Sequence, residues 1–277
     1  MGEMELVSKI NVPKVSVIIP CYNHGAFLEE TVASVLSQTF QEYEIIIVND
    51  GSDDEATNRL LSNYSKPRTI VIHTENKGVA SARNTAIMSA VGKYILPLDA
   101  DDLIAPTYIE KAVEVLDKQS QTGIVYCLAE CFGARQGSWC VPDFSIKGML
   151  FTNLIFCSAM YRKKDWEKVG GYNPNMASGW EDWDFWLSLL ELDCGVYRIP
   201  EVLFYYRIAE GSRERTLNLE KRIALHRQLM ENHSKLFVSQ VASLLGFYYR
   251  LRDSSPYRLA KKFHITALIG RLLSRKA

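Results

Sequence analysis

The sequence has no excess of charge of either sign. Its 32 lysines and arginines match 32 aspartates and glutamates, for a formal net charge of zero. A chain without a basic field has little to attract a polyphosphate backbone, so nucleic acid is not an expected partner. The six cysteines (Cys21, Cys127, Cys131, Cys140, Cys157 and Cys194) contain no C-x-x-C. Several sit in apolar runs, where a thiol behaves as a small hydrophobe. Their scatter argues against zinc or a disulfide frame and for a reducing compartment. No apolar run approaches the roughly 18 residues of a membrane span. The opening Met1-Gly2-Glu3-Met4-Glu5 is acidic and lacks a signal-peptide layout, so a cytoplasmic location is expected. No G-x-G-x-x-G follows a strand-like run, which counts against a dinucleotide oxidoreductase. There is no internal repeat and no low-complexity segment.

What is present is a 277-residue chain, 47% apolar, long enough to bury a substantial core. After a lead-in to Pro13, the first hundred residues alternate two kinds of segment. Val15–Pro20 and Tyr43–Val48 are short, apolar and rich in β-branched residues, as strands buried on both faces of a parallel sheet are, and Thr69–His73 and Tyr94–Leu98 read as a third and a fourth strand. Phe27–Gln38, Glu55–Tyr64 and Val79–Val91 read as helices between them. The pattern predicts an α/β fold with a mostly parallel central sheet. The second half is less regular. It predicts helices over Ile109–Lys118, Asp165–Gly170 and Trp180–Leu192, and strands over Ile124–Cys127, Leu154–Tyr161 and Val202–Arg207. Residues 133–148 read as a loop or hairpin, and the chain from Asn218 as helical.

The stretch around which the rest is organised is Leu96-Pro97-Leu98-Asp99-Ala100-Asp101-Asp102. Two such carboxylates about 5 Å apart repel by roughly 3 kcal/mol at an effective dielectric near 20. A chain carries the cluster cheaply only if it is solvated, paired or holding a cation. It falls at the carboxyl end of a predicted strand, where open α/β sheets bind ligands. Hard oxygens there suit Mg²⁺ or Mn²⁺, and these suit phosphates. The competing reading is a solvated acidic turn.

Other strand ends carry candidates too. Pro20 fixes the turn that presents Tyr22, whose ring either stacks on a nucleobase or packs under its own loop. Asn23 either bonds the ligand or caps the next helix. Asp50 either accepts a base or ribose donor or makes an Asx turn. Gly51 permits a positive φ or close ligand approach; Asp53 and Asp54 read as caps. Arg83 either grips a base or phosphate, pairs with Asp99 or Asp101, or lies exposed on its helix. In Trp180-Glu181-Asp182-Trp183-Asp184-Phe185-Trp186, Asp182 is either a general base or an acid placed for the helix dipole. The dipole would lower its pKa and burial would raise it. Trp183 and Trp186 read as core.

In this order, the pieces resemble the GT-A glycosyltransferases of family 2, inverting enzymes that use nucleotide sugars. The resemblance runs from about Val15 to Arg207. It is carried by Val17-Ile18-Ile19-Pro20-Cys21-Tyr22-Asn23, Ile47-Val48-Asn49-Asp50-Gly51-Ser52, Gly78-Val79-Ala80-Ser81-Ala82-Arg83-Asn84, Asp99-Ala100-Asp101-Asp102, Val169-Gly170-Gly171-Tyr172 and Trp180-Glu181-Asp182. It implies a catalytic domain over 1–215, with a nucleotide-binding half at about 14–103 and an acceptor-side half at about 104–215. Residues 216–277 would be a helical extension. Pro20, Tyr22 and Asp50 would line the uracil pocket of a UDP-sugar, Asn23 and Asp99 would also bind the nucleotide, and Arg83 would support the base or the acidic cluster. Asp101, then Asp102 and Asp99, would hold Mn²⁺ or Mg²⁺ as the family's D-x-D motif does. Asp182 would be the catalytic base, with Glu181 and Trp180 on the acceptor side. The product would be a cell-surface polysaccharide or lipopolysaccharide, built on a saccharide or lipid-linked acceptor. The alternatives are a non-catalytic nucleotide- or sugar-binding protein and a sugar nucleotidylyltransferase.

One departure stands out. Many relatives carry a histidine near the closing strand that assists metal or diphosphate, and Tyr205–Ser212 has none. Arg207, Arg213 or Arg215 would contact phosphate instead, or be surface charge. The C-terminal stretch carries Arg250, Arg252, Arg258, Lys261, Lys262, Arg271, Arg275 and Lys276 among apolar residues. It reads either as a peripheral membrane contact, suited to a lipid-linked acceptor, or as a packed helix with a solvated basic face.

Overall fold

The structure, a computed structural model, describes residues 12–208 and 218–258 except 256. The first half alternates as its sequence pattern requires: β1 (Val15–Cys21), α1 (Gly25–Leu36), β2 (Tyr43–Asp50), α2 (Glu55–Ser62), β3 (Thr69–Thr74), α3 (Val79–Ser89) and β4 (Tyr94–Pro97). These four strands lie side by side in the order β3-β2-β1-β4, all parallel. Val17, Ile18, Ile19, Ile45, Ile46, Ile47 and Leu96 are fully buried, which explains their apolar runs without alternation. The chain moves from β1 outward to β2 and β3, then returns to place β4 on the other side of β1. The crevice at the carboxyl ends of β1 and β4 is therefore the topological switch point, where such sheets take ligands.

The second half is mixed. It contains β5 (Leu103–Ile104), α4 (Tyr108–Lys118), β6 (Thr122–Gly133), β7 (Gly137–Trp139), α5 (Ile146–Met149), β8 (Met160–Arg162), α6 (Lys163–Val169), α7 (Glu181–Leu190) and β9 (Gly195–Ile208). The sheet continues β4-β8-β6-β9-β5, with β7 paired to β6 as a hairpin. The strands predicted at Ile124–Cys127 and Val202–Arg207 are parts of the longer β6 and β9, which pair in parallel with register shifts. The expected strand over Leu154–Tyr161 is corrected. Only Met160–Arg162 pairs, and residues 153–159 are irregular. That run is apolar because the loop is buried: Leu154, Ile155 and Phe156 are enclosed, and the Ser158 carbonyl accepts the Tyr108 hydroxyl at 2.6 Å. An apolar run alone does not distinguish a buried strand from a buried loop.

Two compact units divide the chain at Asn232 and His233. The first includes α8 (Leu219–Asn232), which packs Leu225 and Leu229 and whose Asn232 bonds Asp184 at 2.6 Å. The second holds α9 (Ser234–Asp253), with Val238, Phe247, Tyr248 and Tyr249 exposed. Among the described residues no helix is long and apolar enough to cross a membrane. Of the basic tail, Arg250, Arg252 and Arg258 are described; Lys261 onward, like Arg213 and Arg215, lie outside the described residues.

Candidate active site

The loop after β1 and the loop after β2 are tied together. Asn23, at φ 58°, accepts at Oδ1 from the backbone N–H groups of Asp53 and Asp54, both at 3.0 Å, and donates to Asp53 at 2.5 Å. The Tyr22 hydroxyl donates to Asp53 at 3.2 Å, and Tyr22 remains 41% exposed. Asn23 therefore caps nothing: His24 precedes α1, without a side-chain cap bond. Asp54 caps α2 through Thr57, as expected. Asp53 does not; it braces Tyr22 and Asn23. Asp50 is buried and accepts from the Lys77 N–H at 3.0 Å. Gly51 has φ 62°, and a Cβ there would strike the backbone of Asn76. Only glycine is comfortable in that conformation. Pro20 pairs with Val48 in the sheet and sets the exit of β1.

Arg83 is the hub. It is buried on α3, not exposed, with one arm on Asp99 at 2.8 Å and the other on Glu181 at 2.9 Å. Its guanidinium lies 5.4 Å from the centre of the Tyr172 ring. Burial works against its charge, but Asp99 and Glu181 outweigh burial and hold it well above the usual arginine value. Asn84 beside it fixes the turn after α6: its Oδ1 accepts from Trp166 Nε1 at 3.0 Å and Tyr172 N at 2.8 Å. A fork between two carboxylates thus joins the acidic turn to the start of α7.

In the acidic turn the three carboxylates have different surroundings. Asp99 is one-third exposed and held by Arg83. Asp101 points toward His24, with Nδ1 at 3.7 Å. A histidine therefore does reach this turn, from the loop after β1 instead of the closing strand. Asp102 is completely buried; its Oδ1 accepts the Arg207 backbone N–H at 2.9 Å. Burial and neighbouring carboxylates push Asp101 up and Asp102 well up from the usual carboxylate range. The turn carries more negative charge than its neighbours offset. A divalent cation would supply the missing positive charge, and hard oxygens suit Mg²⁺ or Mn²⁺, so the donor set fits such an ion.

Arg207 is largely buried and is not the surface charge that its sequence position allowed. Its guanidinium is sandwiched between the rings of Phe27 and Phe132, 4.7 and 4.3 Å from their centres. It donates to the Asp101 carbonyl at 2.8 Å and to Glu30 at 2.5 Å. Thr31 on α1 holds the Ala100 carbonyl at 2.9 Å. The acidic turn is thereby pinned to α1 and β9 together.

Asp182 lies in the first turn of α7, half-buried. Its Oδ1 accepts the Trp183 N–H at 2.8 Å and its Oδ2 accepts Asn153 Nδ2 at 3.0 Å. Burial, followed by Glu181, raises it to about 7 against the pull of Arg83, so burial outweighs the dipole. Trp183 and Trp186 are core, as expected. Trp180 has φ 61° and packs against Trp183 and His226 at 4.9 and 5.0 Å between ring centres. Glu181 is committed to Arg83. Asn153 and Cys157, whose Sγ lies 3.3 Å from Asp99 Oδ2, come from the irregular buried loop. No sequence signal singled them out, and neither did any for Phe27, Glu30 or Phe132.

The family model described as "Glycosyl transferase family 2" matches residues 16–178, more than half of the sequence. The chain belongs to glycosyl transferase family 2. Over 254 residues it is 29% identical to chondroitin synthase of Escherichia coli, covering 88% of this chain and 35% of that protein. Over 208 residues it is 32% identical to an uncharacterized glycosyltransferase of Rickettsia prowazekii (strain Madrid E), covering 71% of this chain and 64% of that one. The chain thus spans about a third to under two thirds of the length of these relatives. In fold it is similar to S. aureus TarS 1–349 in complex with UDP-GlcNAc, with a TM-score of 0.65 and 20% identity over 79% of this chain and 66% of that one. It is also similar to the mannosyltransferase PcManGT of Pyrobaculum calidifontis, in complex with GDP-Man and Mn²⁺. There the TM-score is 0.58 and the identity 19%, over 90% of this chain and 83% of that one. The expected GT-A fold is the fold observed.

Proposed function

We propose that this family 2 domain transfers a sugar from a nucleotide sugar, of the UDP class, to a saccharide or lipid-linked acceptor in surface polysaccharide synthesis, inverting the anomeric centre. The single observation that carries the reading is the Arg83 fork. It ties Asp99 of the acidic turn to Glu181, the neighbour of Asp182, and so brings a cation-type cluster and a raised carboxylate to one crevice. The exposed ring of Tyr22 and the carboxylate of Asp50 suit a pyrimidine base at the ends of β1 and β2. TarS in its UDP-GlcNAc complex and the chondroitin synthase relative support the donor class and the kind of product.

Asp101, with Asp99 and Asp102, would hold Mn²⁺ or Mg²⁺, which when bound offsets charge on a leaving diphosphate. Asp182 takes the proton of the acceptor hydroxyl as that oxygen attacks the anomeric carbon from the face opposite the diphosphate. One displacement needs no enzyme nucleophile. A base near neutrality is matched to this task. The rivals are weaker. The loop after β1, Cys21-Tyr22-Asn23-His24-Gly25, is not the Gly-rich basic loop a nucleotidylyltransferase needs, and a pure binder has no use for a raised Asp182.

The test is calorimetric binding of UDP with Mn²⁺, with Mg²⁺ and with EDTA, on the wild type and Asp101→Ala, followed by turnover of a nucleotide-sugar panel. Metal-dependent binding lost in Asp101→Ala, with turnover lost in Asp182→Asn while UDP still binds, supports the reading. UDP binding without turnover of any donor by the wild type returns the binder; no binding of UDP under any condition removes the uridine pocket.

A further inference from the structure

Cys157 reads in sequence as one of six scattered thiols, and the fold delivers it to the acidic turn. Its sulfur, one carboxylate oxygen of Asp99 and one of Asp102 all lie within 4.8 Å of one another. Each carboxylate is tethered through an oxygen: Asp99 Oδ1 by Arg83 at 2.8 Å, and Asp102 Oδ1 by the Arg207 N–H at 2.9 Å. The tethers fix both groups and leave Asp99 Oδ2 facing the thiol at 3.3 Å. Asp102 Oδ2, fully buried, has no hydrogen-bond partner among the described residues. A buried acceptor without a donor is costly, and a cation relieves that cost. Two carboxylates and one sulfur therefore converge, one of the carboxylates carrying an unsatisfied oxygen, held by a surrounding shell of hydrogen bonds.

We propose that Asp99, Asp102 and Cys157 form a mixed oxygen–sulfur cation site that takes a thiophilic divalent ion, Zn²⁺ or Cd²⁺, in preference to Mg²⁺. Magnesium favours an all-oxygen, water-rich octahedron and gains nothing from a sulfur donor. Zinc and cadmium bind thiolate, and the thiol proton leaves to solvent as the metal–sulfur bond forms. The inference rests on reading the acidic turn as a cation site. Its consequence is that a thiophilic ion seated there occupies Asp99 and Asp102 and inhibits transfer.

The full chain, stripped of metal, is titrated with Cd²⁺ without nucleotide, and the thiolate-to-cadmium charge-transfer absorption is followed in the ultraviolet. Calorimetry with Zn²⁺ and with Mg²⁺ runs in parallel. The expected result is a one-equivalent step with absorption in the wild type. In Cys157→Ser, shown folded by circular dichroism, the absorption disappears and Zn²⁺ binds about tenfold or more weakly, while Mg²⁺ affinity changes little. Asp102→Asn keeps all six thiols and is expected to weaken the same step. Absorption that survives in Cys157→Ser, absorption unchanged in Asp102→Asn, or equal Zn²⁺ affinity in wild type and Cys157→Ser would each overturn the site. These titrations need no donor or acceptor. A failure of turnover in Mg²⁺ leaves them standing, and an absent sulfur signal leaves the transferase reading standing.

Discussion

Asn153 Nδ2 donates a hydrogen bond to Asp182 Oδ2 at 3.0 Å, from a loop 29 positions earlier in the chain. The Asn153 Oδ1 in turn accepts the Ile155 N–H at 3.2 Å, so the amide is fixed in orientation. A donor on a carboxylate favours its ionised form. Asn153 thus holds the carboxylate of Asp182, the base proposed above, in a fixed orientation.

In the proposed role Asp182 would accept a proton only when ionised, and burial raises it to about 7. Below that pH it is protonated. The expected kcat/KM therefore falls as pH drops through about 7, by about tenfold per unit on the acid side. A pH–rate profile with a saturating donor checks this. A flat profile between pH 5 and 8 would remove Asp182 from the base role, provided the metal-bound fraction is held constant.

In Asn153→Ala the ionised Asp182 loses a charge-assisted donor. The acid limb is expected to move up by about one pH unit, with UDP affinity retained. A change in rate without any movement of the limb would mean that Asn153 only shapes the loop.

Replacing Arg83 by methionine leaves Asp99 and Glu181 facing each other without their shared cation. Removing one partner of a buried charge cluster costs about 3–5 kcal/mol. Urea unfolding should show that loss, and a value under about 1 kcal/mol, typical of an exposed pair, would contradict the hub assignment.

Arg207→Met keeps apolar volume between Phe27 and Phe132 but deletes the bonds to the Asp101 carbonyl and Glu30. The acidic turn is expected to loosen while the surroundings of Asp182 are untouched. Metal-dependent UDP binding is expected to weaken by about tenfold, with a rise in KM larger than the fall in kcat. An equal loss in both the presence and absence of metal would place the effect elsewhere.

Gly51→Ala forces a left-handed backbone onto a residue with a Cβ and drives that Cβ into the Asn76 backbone. The expected destabilisation is about 1–3 kcal/mol, accompanied by weaker UDP binding because the Asp50–Lys77 bond lies in the same turn. Thermal melting and calorimetry read the two effects separately.

The first half of the fold was legible because local rules and tertiary placement agree there. A parallel strand buried on both faces must be apolar throughout, as β1, β2 and β4 are, so these strands announce themselves, and the β-branched run of β3 follows at the sheet edge. A cluster such as Asp99-Ala100-Asp101-Asp102 at the end of such a strand is conspicuous for the same reason. In the second half the signals fade. Residues 153–159 are apolar because they are buried, not because they pair, and burial without pairing leaves no period in sequence.

By itself, then, the sequence determined the α/β alternation, the carboxylates at the switch point, Tyr22 and Asp50 at neighbouring strand ends, and the family to which these belong. Tertiary structure alone decided how the charges are shared. Whether Arg83 meets solvent, phosphate or Asp99 depends on which elements pack over α3, and the sequence is silent about that. It also decided that Asp182 is raised instead of lowered, because burial and the distance to Glu181 set a pKa and residue order does not. His24, Asn153, Cys157 and Arg207 join the site for the same physical reason: side chains far apart in the chain interact through space, and only the folded sheet fixes those distances.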